Sequence, residues 1–227
     1  MKRLEKVAVV LTGCEDERRM RDAVAVCGWV ELRVDRFLRS FPDGDVAAWA
    51  RTVRSAGASR IIATVRRPAE QSPPKVRLSE CRRLELYRLL APVVDWVDVE
   101  VLSPLAPEVV RVARSHGARV ILSWHNFQRT PSPASLKRVW RKAAGLGPDI
   151  VKVAAVVRSA GDLAVLLSAG WRTAGRPEPV IVPMGEIPAI CRLAALAAGS
   201  LFTYACLSGE TAPGQPTLKQ VRQLLAA

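Results

Sequence analysis

Short runs of β-branched and apolar residues recur along this chain, and each is followed by a longer stretch in which apolar residues have helical spacing. There are eight such runs: Val7–Leu11, Trp29–Val34, Arg60–Val65, Trp96–Val101, Arg119–Ser123, Ile150–Ala154, Val180–Pro183 and Leu201–Tyr204. Strand-helix-strand connections are right-handed and place the strands in parallel. The repeated unit therefore predicts an α/β protein, a (β/α)8 TIM barrel that forms a single domain over residues 1–227. An open, doubly wound sheet is the alternative, but no glycine-rich nucleotide-binding motif follows a strand.

Helix boundary signals fall between the runs, as this architecture requires. Ser132 and Pro133 have the residue types of an N-cap and of the first helical position, and Thr217 with Gln220 fits a capping box. Glycines precede the third, fifth and sixth runs, where helix C-termini are expected.

The chain is strongly basic, with 34 Lys and Arg residues against 21 Asp and Glu and a formal net charge of +13. Such a charge makes a nucleic-acid-binding protein one hypothesis. However, the basic residues are dispersed along the chain, and aromatic residues, which stack on bases in many such proteins, are only 5% of the total. We therefore expect no specific nucleic acid partner.

Cysteine usage and hydropathy bear on localisation. The five cysteines are widely spaced and form no C-x-x-C pair, which indicates a reducing compartment. The start of the chain lacks the pattern of a secretory signal, and no apolar stretch has the length of a membrane span. We predict a cytoplasmic protein that does not bind membranes.

Charged and polar side chains alternate with apolar ones in four of the predicted strands. On one strand face lie Glu31, Arg33 and Asp35, then Asp98 and Glu100, then Ser123 and His125, and finally Lys152. In an antiparallel sheet this face would contact water, but helices cover the outside of a parallel sheet. The charges are then predicted to point into the barrel near the carboxyl ends of the strands, where barrel enzymes build active sites. A buried network of structural salt bridges is the alternative.

Lys152 and His125 are the most informative of these residues. An enclosed lysine amine can attack a carbonyl group and form a Schiff base, and a histidine on the neighbouring strand can move a proton at the adjacent carbon. The alternatives are a lysine that reaches solvent at the barrel rim and a structural histidine. With two histidines in the chain, a histidine-rich metal site is excluded.

The same residues occur in segments that resemble the type I 3-dehydroquinate dehydratases. Six segments carry the resemblance, in the same order along the chain: Glu31-Leu32-Arg33-Val34-Asp35; Arg66-Arg67-Pro68-Ala69-Glu70; Ser123-Trp124-His125-Asn126-Phe127 with Thr130-Pro131; Asp149-Ile150-Val151-Lys152-Val153-Ala154; Pro183-Met184-Gly185 with Arg192-Leu193; and Ala212-Pro213-Gly214-Gln215. The short connections between them are similar to those of compact archaeal-type members.

The resemblance implies a lyase that dehydrates 3-dehydroquinate to 3-dehydroshikimate, the third step of aromatic amino acid biosynthesis by the shikimate pathway. Lys152 would form the Schiff base with the substrate ketone. His125 would act as the general acid and base, and Glu70 would orient it.

The resemblance also implies the substrate-binding side chains, which are Glu31, Arg33, Arg66, Arg192, Thr211 and Gln215. Arg192 would hold the substrate carboxylate through two hydrogen bonds. Thr211 stands where bacterial members commonly have serine, and it keeps the hydroxyl group. Gln215 would close over the substrate from the last loop.

The partners implied by the resemblance are the small-molecule substrate and a second copy of the chain in a homodimer, without a cofactor or a metal ion. Among enzymes, another Schiff-base barrel such as an aldolase remains the alternative. Those enzymes commonly act on phosphorylated sugars, and the sequence lacks a clear glycine-rich phosphate site after the seventh and eighth strands.

Overall fold

The structure, a computed structural model, describes residues 4–71, 75–168, 177–186, 190–207 and 209–226. Its eight-stranded sheet consists of β1 Leu4–Leu11, β2 Cys27–Arg33, β3 Ile61–Thr64, β4 Trp96–Glu100, β5 Arg119–Asn126, β6 Ile150–Val156, β7 Glu178–Met184 and β8 Thr203–Cys206. All paired neighbours are parallel, in the order β7-β6-β5-β4-β3-β2-β1-β8. The predicted TIM barrel is confirmed, and each of the eight runs overlaps its strand.

Helices follow the strands around the outside of the barrel. In the described residues they are α1 Glu17–Val26, α2 Val34–Ser40, α3 Val46–Ser55, α4 Glu80–Leu90, α5 Ala106–Ser115, α6 Pro133–Ala144, α7 Ala160–Ser168, α8 Ile190–Ala197 and α9 Leu218–Ala226. The predicted caps of α6 and α9 are confirmed, because the Ser132 hydroxyl accepts from Ser135 N and Thr217 exchanges hydrogen bonds with Gln220. Within the described ranges, no helix is both long and apolar enough to cross a membrane.

Side chains alternate between the two faces of each strand, so the apolar ones form one layer between the sheet and the helices and another inside the barrel. In β4, Val97 and Val99 pack in the layer between the sheet and the helices, whereas Trp96 packs inside the barrel. Asp98 shares the inward parity of Trp96 and is fully buried. The inward face therefore changes from apolar at the start of the strand to charged near its end.

Aromatic side chains fill the amino-terminal end of the barrel. The ring centroid of Trp29 lies 5.2 Å from that of Trp96 and 4.5 Å from that of Phe202. The guanidinium of Arg60 lies over Trp29, and that of Arg119 lies over Trp96. This aromatic layer closes the end of the barrel opposite to the charged side chains.

The contact between β7 and β8 closes the barrel and includes both a backbone hydrogen bond and a bridge through one side chain. Leu201 N donates to Pro179 O at 2.9 Å. Next to this bond, the buried Ser200 hydroxyl accepts from Ile181 N at 2.9 Å and donates to Phe202 O at 3.0 Å. The hydroxyl thus takes the place of a backbone partner where the regular ladder is interrupted.

One sequence expectation about β2 is wrong. We expected Asp35 to lie on the strand with Glu31 and Arg33, but the strand ends at Arg33 and Asp35 lies in the first turn of α2. There its carboxylate accepts from Arg33 Nε at 3.0 Å and from Arg33 Nη2 at 2.7 Å. A buried two-point ion pair and the favourable place of an acidic residue at a helix start both support this early turn.

We predict that Ser200→Ala destabilises the fold. Ile181 N–H would be left buried without its acceptor, which costs about 1–3 kcal/mol of unfolding free energy. Chemical denaturation of both proteins measures the difference, and Ser115→Ala, at a serine near the end of α5, is the control. A loss equal to that of the control would contradict a role of Ser200 in closing the barrel.

Candidate active site

A cavity that is partly open to solvent is lined by residues near the carboxyl ends of the strands. The structure brings together all nine residues singled out in the sequence: Glu31, Arg33, Arg66, Glu70, His125, Lys152, Arg192, Thr211 and Gln215. The remaining wall is largely apolar and comprises Phe127, Ala154, Val182, Met184, Tyr204 and Ala212. The individual roles of the nine residues stay predictions.

Lys152 lies in β6, all of whose residues are buried. Its Nζ is 3.0 Å from Asp98 Oδ2 and 3.5 Å from Glu31 Oε1, and it lies 4.2 Å from the centroid of the Tyr204 ring. The side chain is therefore inside the barrel and does not reach solvent at the rim. Two carboxylates and an aromatic face all stabilise a positively charged nitrogen at this position.

Asp98 is the principal anion beneath Lys152. Besides the lysine, its carboxylate accepts from Arg66 Nη2 at 3.0 Å and from the Ser123 hydroxyl at 2.6 Å. Burial alone would raise the pKa of Asp98, but the charges of Arg66 and Lys152 outweigh burial and hold it well below its usual range. Asp98 is thus a permanent negative charge in the floor of the cavity.

His125, near the end of β5, is held by Glu70 from the loop after β3. Glu70 Oε2 lies 2.9 Å from His125 Nδ1 and accepts from His125 N at 3.1 Å. Burial, together with the positive charges of Arg66 and Lys152, holds the pKa of His125 well below its usual value. The ring is therefore neutral near pH 7, and the tautomer that donates Nδ1–H to Glu70 leaves Nε2 as a proton acceptor.

The pKa of Glu70 is shifted in the opposite direction to that of His125. Burial raises the pKa of the Glu70 carboxyl to about 7, although the adjacent Arg66 charge works against this rise. The carboxylate form, which pairs best with a protonated imidazole, therefore increases as the pH rises through about 7. Opposite shifts in a hydrogen-bonded acid and base are typical of groups that exchange protons during a reaction.

Arg33 connects the end of β2 to the last loop. While it holds Asp35 with two nitrogens, its third, Nη1, lies 3.4 Å from Thr211 O. In that loop, Gln215 Oε1 accepts from Thr211 N at 2.9 Å and from the Thr211 hydroxyl at 2.8 Å. The two predicted loop contacts, Thr211 and Gln215, therefore form one unit at the mouth of the cavity.

The last loop packs against the residue that follows β7, and both contacting residues, Gly214 and Gly185, are glycines. Gly214 has φ +65°, and a Cβ placed on it would lie 1.8 Å from Gly185 O. Pro213 O also accepts from Gly185 N at 3.2 Å. No residue with a side chain fits at position 214 without moving the loop.

Arg192, in α8, differs from every other cation of the cavity. It is 2% exposed, and its Nε and Nη2 atoms have no hydrogen-bond partner in the described part of the chain. Burial lowers the pKa of this guanidinium to about 10, so it remains charged at neutral pH. A buried charge with two free parallel donors is suited to an incoming carboxylate.

The two carboxylates that line the cavity already have partners, because Glu31 pairs with Lys152 and Glu70 bonds to His125. In the described ranges, no group of three or more His, Cys, Asp or Glu residues has the arrangement of metal ligands. The donors that remain suit a small anion with a carbonyl group: an amine, a neutral imidazole and an unpartnered guanidinium.

Sequence reasoning missed two residues that touch the reacting groups. Asp98 was expected to face inward but was given no role, and Tyr204 was placed in the eighth strand but was given no role. Both could have been found from parity, because Asp98 alternates with buried valines in β4 and Tyr204 alternates with small residues in β8.

The chain is similar in sequence to known proteins of one family. The family model described as type I 3-dehydroquinase matches residues 7–227. A 3-dehydroquinate dehydratase of Thermococcus gammatolerans is 36% identical over 224 residues, which cover 95% of this chain and 97% of that protein. One from Geobacillus thermodenitrificans is 35% identical over 203 residues, or 87% of this chain and 79% of that protein.

Solved structures give the same result. The crystal structure of 3-dehydroquinate dehydratase from Geobacillus kaustophilus has a TM-score of 0.84 at 29% identity and covers 97% of this chain and 89% of that chain. The structure of the 3-dehydroquinate dehydratase from Aquifex aeolicus has a TM-score of 0.80 at 30% identity and covers 96% of both.

We predict that the His125 ring stays neutral well below the pH at which an ordinary histidine titrates. The chain has two histidines, so in a His116→Asn variant the histidine ring signals in NMR spectra belong to His125 alone. Between pH 8 and pH 6 the ring nitrogen shifts should stay those of a neutral imidazole, with only the smaller change that ionisation of the bonded Glu70 carboxyl causes, whereas in denaturant the ring should titrate with a midpoint of about 6.5. A folded-state midpoint at or above the denatured one would contradict the charge arrangement described here.

Proposed function

The chain belongs to the type I 3-dehydroquinase family and dehydrates 3-dehydroquinate, and from this premise we propose that Lys152, His125 and Glu70 perform the reaction. The observation that carries the proposal is the position of the Lys152 amine. It is buried between two carboxylates, on the strand that pairs with the His125 strand in the register Ser123 to Lys152.

Lys152 forms the covalent bond in the proposed mechanism. The Lys152 ammonium first gives up one proton, and the neutral amine adds to the C3 ketone of 3-dehydroquinate to form a carbinolamine. The same proton then departs with the carbinolamine hydroxyl as water, which leaves an iminium between Nζ and C3. The positive charge of the lysine is thereby retained at the same atom. Asp98 and Glu31, which already hold the ammonium, stabilise the iminium without having to move.

His125 moves the proton. The iminium acidifies the hydrogens on C2, and the neutral ring accepts one of them at Nε2. Glu70, bonded to Nδ1, stabilises the imidazolium that results. The imidazolium then gives the proton to the departing C1 hydroxyl, which leaves as water, and hydrolysis of the iminium releases 3-dehydroshikimate.

The remaining residues bind the substrate. Arg192 receives the carboxylate, because its two buried donors have no partner among the described residues. Arg33, Arg66 and Glu31 contact the ring hydroxyls. The Thr211 and Gln215 pair closes the mouth of the cavity over the bound molecule.

Finer expectations complete the proposal. As the family resemblance implies, the enzyme would act in the cytoplasm as a homodimer, with 3-dehydroquinate as its partner and no specific binding to nucleic acids. The single catalytic domain over residues 1–227 likewise stays a prediction.

Borohydride trapping tests the covalent step. Reduction in the presence of 3-dehydroquinate should add the mass of the ligand to the peptide that contains Lys152, and Lys152→Ala should lose both trapping and nearly all activity. Lys142→Ala, at an exposed position in α6, is the matched control. Peptide mass spectrometry locates the adduct, and an adduct on any other lysine would refute the assignment.

The role of Arg192 is tested by its effect on substrate binding. Loss of charge-assisted hydrogen bonds costs about 1.5–3 kcal/mol, so Arg192→Ala should raise KM about tenfold to hundredfold and change kcat less. Arg192→Lys should recover part of the loss. Arg129→Ala, which removes an exposed charge from the loop after β5, controls for long-range attraction of the anionic substrate. An unchanged KM in Arg192→Ala would exclude the proposed carboxylate contact.

A further inference from the structure

Arg83 is a fully buried arginine that does not line the cavity. It lies in α4, and its guanidinium contacts four residues, three of which lie outside this helix. Nε donates to Val65 O at the end of β3, Nη1 donates to Glu80 and Ser103, and Nη2 forms an ion pair with Glu100 at the end of β4. One side chain thus joins the ends of two adjacent strands.

Glu100 uses its other oxygen for the active site. While Oε2 pairs with Arg83, Oε1 accepts from Arg67 N at 2.7 Å and lies 3.4 Å from Arg66 Nη1. Arg66 lines the cavity and holds Asp98, the carboxylate that contacts Lys152. Arg83 is therefore two contacts away from the cavity wall.

The contact between Glu100 and Arg67 N connects Glu100 to the turn that carries Glu70, the partner of the general base His125. Arg67 precedes the 3₁₀ turn Pro68–Glu70, and Glu70 N donates to Arg67 O at 3.0 Å. The turn presents the Glu70 carboxylate to His125. The position of Glu100 thereby fixes both the guanidinium beside Lys152 and the backbone from which Glu70 reaches His125.

Packing alone does not account for an arginine at position 83. Its helical neighbours Leu86, Tyr87 and Leu90 are fully buried, and an apolar side chain of similar volume often replaces a buried ion pair with no loss of stability. The guanidinium does what an apolar residue cannot, because it orients a carboxylate and two strand ends at the same time.

We propose that Arg83 is a positioning residue for the dehydration, which acts through Glu100 on Arg66 and on the turn that carries Glu70. The inference rests on the proposed roles of Glu70 and His125. It goes beyond them by placing a determinant of their geometry outside the cavity, in a helix on the outer surface of the barrel.

The pH profile of the reaction is the readout that separates positioning from stability. Four groups face the Glu70 carboxyl, which are Arg66 after β3, Arg67 before the turn, Glu100 at the end of β4 and His125 in β5. In the wild type, kcat/KM should rise with pH through about 7 as Glu70 ionises. In Glu70→Gln this limb should be absent.

Arg83→Met removes the positive charge and the strand contacts. Glu100 then draws Arg66 away from Glu70, and its own negative charge is no longer balanced, so the acid limb should move to higher pH. We expect kcat/KM at pH 7 to fall about tenfold to hundredfold, the range that displaced catalytic groups produce. Arg83→Lys, which keeps the charge without the planar fork, should recover part of the loss.

A double-mutant cycle with Glu100→Gln tests the route of the effect. If Arg83 acts through Glu100, then Arg83→Met should change kcat/KM less than twofold in the Glu100→Gln background. The double variant also leaves no unpaired buried charge, so it should fold even if Arg83→Met alone does not. Leu86→Ala, at a buried leucine of the same helix, should lower Tm without moving the pH profile.

Each outcome decides a different point. A wild-type profile in Arg83→Met, an equal shift in Leu86→Ala, or additive effects in the cycle would overturn the role of Arg83. If the wild type itself shows no Lys152 adduct and no acid limb, the proposed roles of Lys152 and Glu70 fail instead.

Discussion

Charges enclosed by a closed barrel have little water to compensate them, and this constraint orders the whole site. Four of the five buried carboxylates of the described residues are matched by a buried cation: Glu31 by Lys152, Asp35 by Arg33, Asp98 by Arg66 and Glu100 by Arg83. The fifth, Glu70, bonds to the neutral ring of His125. An ion left alone in such a place costs several kcal/mol. Within the described residues, Arg192 lacks hydrogen-bond partners for Nε and Nη2, and this imbalance suits an anionic substrate.

The same pairing sets the chemistry of the imidazole. Arg66 and Lys152 stand close enough to disfavour a positive charge on His125, while their own charges are satisfied by Asp98. Arg66 and Lys152, which neutralise Asp98, therefore also keep the His125 ring in its neutral, basic form. Structure and reactivity are therefore not separable here, because a change in any pair alters the protonation of its neighbours.

Sequence reasoning could predict the barrel and the inward face, because a strand period of two assigns residues to faces even when strand ends are uncertain. It misplaced Asp35, since the end of β2 is decided by the two-point contact of Asp35 with Arg33, which parity does not express. Sequence reasoning did not single out Arg83. Helical spacing places it on the same face as Leu86, Tyr87 and Leu90, but its partners Val65, Ser103 and Glu100 lie in other elements and are known only from the structure.

The aromatic layer of Trp29, Trp96 and Phe202 has a consequence for the order of events. It closes the amino-terminal end of the barrel, and in the described part of the chain the cavity opens to solvent at the other end, where Thr211 and Gln215 lie. In the proposed mechanism, one water leaves when the iminium forms, another leaves on elimination, and one is consumed on hydrolysis. With the amino-terminal end closed, these water molecules move through the same end of the barrel as the substrate, where the bound ring stands in their way. The water that cleaves the iminium is then either already in the cavity or enters when the bound ring loosens.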